Sequence, residues 1–202
     1  MIIIGVTGGI AMGKTFICNI LKAKNIKVYS ADDSIKTIYN YPKTLIFLDS
    51  LKLDLVKYNK LNKQKIKELL VKDIISFNKI TDYLHKEEEK LRSNFIEENK
   101  HKNTKIIVLE IPLLFENNLQ SNFNYIILAN TPKKIQIQRI NQTKDLTKKE
   151  INVILSKQIL NKYKKKHSSY IVNTNQDSKN VDKKINQILT DIYNKEEINF
   201  GR

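Results

Sequence analysis

The sequence predicts an α/β fold: a five-stranded parallel sheet between two layers of helices, carrying a helical insertion and a short lid. Three observations point there. Short apolar runs alternate with helix-patterned stretches, as in a buried parallel sheet. Four of the five glycines (Gly5, Gly8, Gly9 and Gly13) fall within one stretch, GVTGGIAMGKT at residues 5–15, directly after the first apolar run. From Asp33 to Lys105 no strong strand stands out and no proline follows Pro42, so this charged stretch reads as a helical excursion from the sheet.

The first element is the strand over 2–7, MIIIGVT being a short apolar run. The glycines after it fall where a chain visits positive φ or lets a ligand approach its backbone. Gly8-x-x-x-x-Gly13-Lys14-Thr15 fits the phosphate-binding loop, and the alternative, an ordinary turn with an accidental lysine, does not explain the flanks. In such a loop the backbone of Gly8, Gly9, Ile10, Ala11, Met12 and Gly13 cradles the ATP phosphates. Lys14 reaches the β and γ phosphates, and the Thr15 hydroxyl ligates Mg²⁺. From Thr15 to Lys24 apolar residues recur at helical spacing (Phe16, Ile17, Ile20, Leu21), which aims a helix N-terminus at the anion. The fold expected is therefore the three-layer fold of the P-loop NTPases.

Further strands are expected over 26–30, 105–110, 124–129 and 170–173. Thr131-Pro132 offers an N-cap followed by proline at the first helical position. Thr147 to Glu150 forms a capping box opening a helix that could run to about Lys166. The last helix, from about Ser178 to Tyr193, carries Val181, Ile185, Ile188, Leu189 and Ile192 on one face. The organisation expected is a nucleotide core over 1–34 and 105–202, with a lid at about 138–150 and the helical insertion over 35–104. Open sheets bind ligands at the carboxyl ends of their strands, which singles out Ser30, Asp32, Asp33, Glu110, Pro112, Glu116, Asn173 and Asn175.

Composition narrows the class. A chain of 202 residues suits one domain with elaborations. The single cysteine, Cys18, excludes an internal disulfide, fits a reducing compartment and reads as a buried structural thiol. No segment approaches the roughly 20 apolar residues of a membrane helix, so a soluble, cytoplasmic protein without a membrane partner is expected. The net charge of +15 would suggest nucleic acid, but the positive charge is almost all lysine, spread along the chain and interleaved with acids. That pattern looks like compositional drift, and KYKKKH at 162–167 reads as a solvated helix face. A nucleic-acid partner is not expected.

A phosphate-binding loop serves switches, motors and small-molecule kinases. The base-recognition motif Asn-Lys-x-Asp of the switches is missing, whereas a strand, Thr-Pro and a helix carrying Arg139 suit a small-metabolite kinase. Arginine occurs only at Arg92, Arg139 and Arg202, so its use at 139 stands out. A guanidinium can bridge two phosphates where a lysine point charge cannot; the alternative is a surface arginine.

These residues carry a family resemblance. Over nearly its whole length the sequence resembles the dephospho-coenzyme A kinases. GVTGGIAMGKT is similar to that family's loop, with Ala11 and Met12 in place of a Gly-Ser pair. IKVYSADDSIK resembles its Asp-Ala-Asp motif, Asp32 aligning with the final aspartate, and EIPLLFENNL resembles its Pro-Leu-Leu-x-Glu segment. KLNKQKIKELL resembles a turn and helix that normally carry Asp-Arg, here Asn62-Lys63; the IQIQRI helix, the Gln158 region and the YIVNT strand follow in order. The departures are Ser30 for the first aspartate, Thr143 (beside Lys144) for a second lid arginine, and Lys86 after Leu84-His85 where proline is usual. Ser168-Ser169 and Asn175 depart as well.

The resemblance implies ATP-dependent phosphorylation of the ribose 3′-hydroxyl of dephospho-coenzyme A, by a monomer with small-molecule partners only. It implies roles too: Lys14, Asp32 and Arg139 catalytic, Asp32 as the base that takes the hydroxyl proton, Arg139 neutralising charge under a closing lid. Asn173 would frame the adenine, and His85 and Lys63 would meet the acceptor. Alternatives stand beside several of these. Asp32 could be a helix cap, Asp33 reads more simply as one, and His85 as an exposed helix histidine. Glu116 reads as fixing its loop. The alternative functions are a nucleoside or nucleoside monophosphate kinase of the same fold, and a nucleotide-dependent nucleic-acid-binding module.

Overall fold

A computed structural model of the chain describes residues 1–58, 60–143 and 147–197. In chain order the elements are β1 (Ile2–Thr7), α1 (Lys14–Ala23), β2 (Lys27–Ser30), α2 (Ala31–Ile38), α3 (Pro42–Ser50), β3 (Val56–Lys57), β4 (Lys60–Leu61), α4 (Lys63–Lys72) and α5 (Ile74–His101). There follow β5 (Ile106–Glu110), a 3₁₀ turn (Gln120–Asn122), β6 (Tyr125–Asn130), α6 (Lys133–Thr143), α7 (Lys148–Ser156), α8 (Asn161–Lys166), β7 (Tyr170–Asn173) and α9 (Ser178–Lys195). Contacts divide the chain into two compact units. The first takes in Met1–Tyr29, the described residues from Glu98 to Thr143 and those from Gln158 onward; the second, Ser30–Glu97 and the described residues from Thr147 to Lys157.

The first unit is built on a five-stranded sheet in the order β2-β5-β1-β6-β7. β1 runs parallel to β5, with Ile2 opposite Ile106 and Val6 opposite Glu110, and parallel to β6, with Ile4 opposite Tyr125. β7 continues the sheet parallel to β6, Asn173 facing Asn130. The central strands β1, β5 and β6 are mostly apolar and buried, as expected where both faces of a parallel sheet are covered. Ile4, Val6, Val108, Ile127 and Val172 of the strands pack with Ile17 and Leu21 of α1 and Val181, Ile185 and Ile188 of α9. Each such side chain contributes about 1.5–3 kcal/mol by leaving water. Parallel pairing brings the carboxyl ends of β1, β5, β6 and β7 to one edge, where the glycine loop follows β1. Among the described residues no helix is long and apolar enough to cross a membrane.

The second unit has its own core of Ile38, Leu48, Leu55, Ile66, Ile80 and Leu84. It contains a short antiparallel hairpin, β3 against β4, where the sequence shows no strong strand. Two-residue strands are too short to display an alternating pattern.

Three further expectations are corrected. The helix expected from Thr147 to about Lys166 breaks between α7 and α8. An unbroken helix would spend the Ile159 N–H on the Leu155 carbonyl; here it donates to Glu116 Oε1 at 2.9 Å. Within KYKKKH, read as a solvated face, Lys164 is only 2% exposed and pairs with Glu116 at 2.6 Å. The Thr131 hydroxyl, expected to cap a helix, is buried with no hydrogen-bond partner among the described residues, and the helix opens at Lys133.

Candidate active site

The glycine loop joins β1 to α1, and two of its glycines are sterically required. Gly8 has φ +148, and a Cβ there would lie 2.6 Å from the Ala129 carbonyl oxygen. Gly13 has φ +89, and a Cβ would lie 2.7 Å from Thr174 Oγ1. Ala11 sits in the same left-handed region at φ 57, a conformation its methyl disfavours. Gly13 is the N-cap of α1 and supplies no side-chain cap, and no acid stands in the first turn. The first amides and the positive end of the helix dipole are thus left for an anion.

Lys14 is 9% exposed and arches back over the loop, its Nζ donating to the carbonyls of Gly8 at 3.1 Å and Gly9 at 3.3 Å. Thr15 is exposed, and its Oγ1 donates to Glu110 Oε1 at 3.0 Å. Glu110, at the carboxyl end of β5, is 2% exposed. One turn along α1, Cys18 is buried; burial, with the charge of Glu110 second, pushes its thiol far above the ordinary cysteine range. It stays protonated and unreactive, a structural thiol.

α6 reaches the loop directly through Gln136 and, by way of Thr174, through Arg139. Gln136 Nε2 donates to the Ile10 carbonyl at 2.9 Å. Arg139 donates from Nη1 to Thr174 Oγ1 at 3.1 Å and from Nη2 to the Thr174 carbonyl at 2.8 Å. Thr174 Oγ1 is also 2.7 Å from the Met12 carbonyl oxygen. Gln158 lies beside Gly9, where a Cβ would come within 2.7 Å of its Oε1. Of the lid expected at about 138–150, residues 144–146, Lys144 among them, lie outside the described residues.

Asn173, expected at the adenine, is exposed; its Oδ1 accepts the Asn175 N–H at 3.0 Å, closing a turn after β7. It also lines an open groove of about 360 Å³ with Gln176, Asn180 and Lys183. Glu116 secures the Ile159 amide and Lys164 rather than its own loop.

Asp32, Lys63 and His85 belong to the second unit. Asp32 is exposed in the first turn of α2, and among the described residues no hydrogen bond or ion pair engages its carboxylate. The cap of α2 is neither aspartate. Ser30 Oγ accepts the Asp33 N–H at 3.4 Å, while Asp33 pairs with Lys36 at 2.6 Å. Ser30 thus serves as the cap where the resemblance has an aspartate. Lys63 is the exposed first residue of α4, capped by Asn62, and His85 is exposed on α5. No hydrogen bond links these three.

The sequence reading missed Gln136 and Thr174 and left Gln158 as a region only. Gln136 stands one turn before Arg139, a spacing that puts both on one helix face, and that signal was available. Thr174 had none, since a threonine after a strand is ordinary.

A parallel sheet in this order, a glycine loop with Lys14 and Thr15, and an arginine on a following helix define a P-loop kinase, a nucleotide-binding transferase. The dephospho-CoA kinase family model matches residues 2–180, and the chain belongs to that family. A dephospho-CoA kinase of Bartonella quintana is 29% identical over 95% of this chain and 98% of its own length. Among solved structures, a Thermus thermophilus protein superposes with a TM-score of 0.79 at 21% identity, covering 98% of both chains. The dephospho-CoA kinase of Campylobacter jejuni superposes with a TM-score of 0.66 at 23% identity, covering 96% of this chain and 98% of its own. These two likenesses concern the fold.

Proposed function

We propose that the chain transfers the γ-phosphoryl group of ATP to the ribose 3′-hydroxyl of dephospho-coenzyme A, giving coenzyme A and ADP. The attacking hydroxyl oxygen forms the new P–O bond as the bond to the β-phosphate oxygen breaks, and the hydroxyl proton passes to Asp32. The loop amides over Gly8–Gly13 and Lys14 hold the phosphates, Lys14 exchanging its two carbonyl contacts for phosphate oxygens. Arg139 offsets the charge that spreads over the transferring group. Thr15 Oγ1 and the Glu110 carboxylate, 3.0 Å apart, are the hard oxygen donors that suit magnesium. When bound, the ion neutralises charge on the phosphate oxygens.

The second unit is assigned the acceptor, with Lys63 and His85 as contacts, and Asn173 the adenine. The same reading has the protein act as a cytoplasmic monomer on small molecules, the buried lone thiol suiting a reducing compartment.

The observation that carries the hydroxyl-acceptor reading is the cap of α2. Because Ser30 caps that helix, the Asp32 carboxylate is not spent on backbone amides. A hydroxyl acceptor needs such a base; a phosphate acceptor, already anionic, does not. Asp32→Asn conserves shape but not proton affinity. Thermal melting and Mg·ATP binding should stay near wild type, while kcat falls by roughly 10²-fold or more. A near-normal kcat would remove Asp32 as base and move the reading towards Glu110 or a monophosphate acceptor.

A further inference from the structure

Thr174 is 2% exposed and follows β7 directly. Its N–H donates to the Asn130 carbonyl at 2.9 Å, so it is fixed to the sheet as a strand residue would be. Its hydroxyl has one proton and two lone pairs. Met12 O at 2.7 Å is the nearer acceptor, and Asn130 O at 3.4 Å the farther, so the proton goes to the glycine loop. The lone pair is then free for Arg139 Nη1 at 3.1 Å, while the Thr174 carbonyl takes Nη2 at 2.8 Å.

We propose that Thr174 is a positioning residue that couples Arg139 to the glycine loop. It holds two of the five guanidinium N–H groups, one on Nη1 and one on Nη2, and so fixes the plane of the guanidinium beside the glycine loop. The inference rests on the kinase reading above, in which Arg139 offsets transition-state charge. Three features support it. The bonds from Arg139 are charge-assisted and partly buried, which makes them among the stronger kind. The fit against the loop is close: a Cβ on Gly13 would overlap the side chain of Thr174 at 2.7–3.0 Å. And the Gln136 side chain, on the same face of α6, ties the helix to the Ile10 carbonyl, so Arg139 and Gln136 both face the loop. Loop backbone, sheet and arginine thus meet at one hydroxyl.

The test is a double-mutant cycle on the full chain, run with whichever acceptor the wild type turns over. Thr174→Val keeps the shape and removes the hydroxyl; Thr174→Ala carries the same expectation if valine proves too crowded to fold. Loss of one charge-assisted bond should lower kcat by about ten- to a hundredfold. KM for ATP should stay within about threefold, the signature of an interaction felt in the transition state. Thr174→Ser, which keeps the hydroxyl, should recover kcat to within about threefold of wild type. In an Arg139→Ala background, Thr174→Val should cost less than about twofold more, since the two act as one unit. An undiminished loss in that background, a serine variant as impaired as valine, or an unchanged kcat would each overturn the proposal. A wild type that phosphorylates only some other acceptor fails the functional reading alone and leaves this comparison intact.

Discussion

Lys14 is held at both ends of its reach: its backbone opens α1, and its ammonium rests on the carbonyls of Gly8 and Gly9. Those two bonds help keep a charge that is nine-tenths buried satisfied, and in the function proposed phosphate oxygens replace them. Each is worth about 1 kcal/mol net, so Lys14→Ala should lower Tm by only a few degrees, at roughly 2–4 °C per kcal/mol for a chain of this size. Turnover should fall by at least about 10²-fold, the usual cost of removing one preorganised group from a transition state. Melting curves set beside kcat would show it; retained turnover would take the loop out of the mechanism. At this scale the site was legible where spacing is diagnostic. Glycines at 8 and 13, the lysine and the threonine show in the sequence because backbone geometry admits few substitutes there. Thr174 does not, because its role depends on a carbonyl of residue 12 that only the folded sheet brings near.

Among the elements, α7 shows how local rules hold until a tertiary partner outbids them. Its N-terminus is the capping box read from the sequence: Thr147 Oγ1 accepts the Glu150 N–H at 3.3 Å, and Glu150 Oε2 accepts the Thr147 N–H at 2.7 Å. Its C-terminus was not legible, because the Ile159 amide is claimed by Glu116, distant in sequence, and buried Lys164 follows it. The strands could be located to within a residue or two because burial on both faces leaves continuous apolar runs. The β3–β4 hairpin left no such mark. The capping box also makes a prediction about pH. The Thr147 backbone N–H, then its hydroxyl, hold the Glu150 carboxyl below the ordinary glutamate range. A lowered folded-state pKa contributes stability above the ordinary value and loses it as pH falls through the lowered one. Glu150→Gln should therefore be less stable than wild type at pH 7, by about 1 kcal/mol as other caps are. That gap should narrow as pH falls from the ordinary glutamate range through the lowered folded-state one, where the wild-type carboxyl becomes protonated in both states. Urea unfolding of both proteins at pH 7 and pH 3.5 measures the gap, and a constant gap would mean that the charge of Glu150 does not stabilise the box.

At the scale of the molecule, two units with separate cores divide the work proposed for them: one holds the glycine loop and Arg139, the other carries Asp32, Lys63 and His85. The net charge of +15, which alone would suggest nucleic acid, is spread over lysines of both units. The central claim is the identity of the acceptor, and one measurement reaches it most directly. The purified chain is incubated with Mg·ATP and, in turn, dephospho-coenzyme A, nucleosides, nucleoside monophosphates and a polynucleotide, with ADP release followed and products identified by ³¹P NMR. The expected result is one ADP released for each coenzyme A formed, the new phosphate resonating as a monoester on the ribose 3′ position, with little ADP from the other acceptors. Release driven by a nucleoside monophosphate or by polynucleotide, with dephospho-coenzyme A unchanged, would contradict the account.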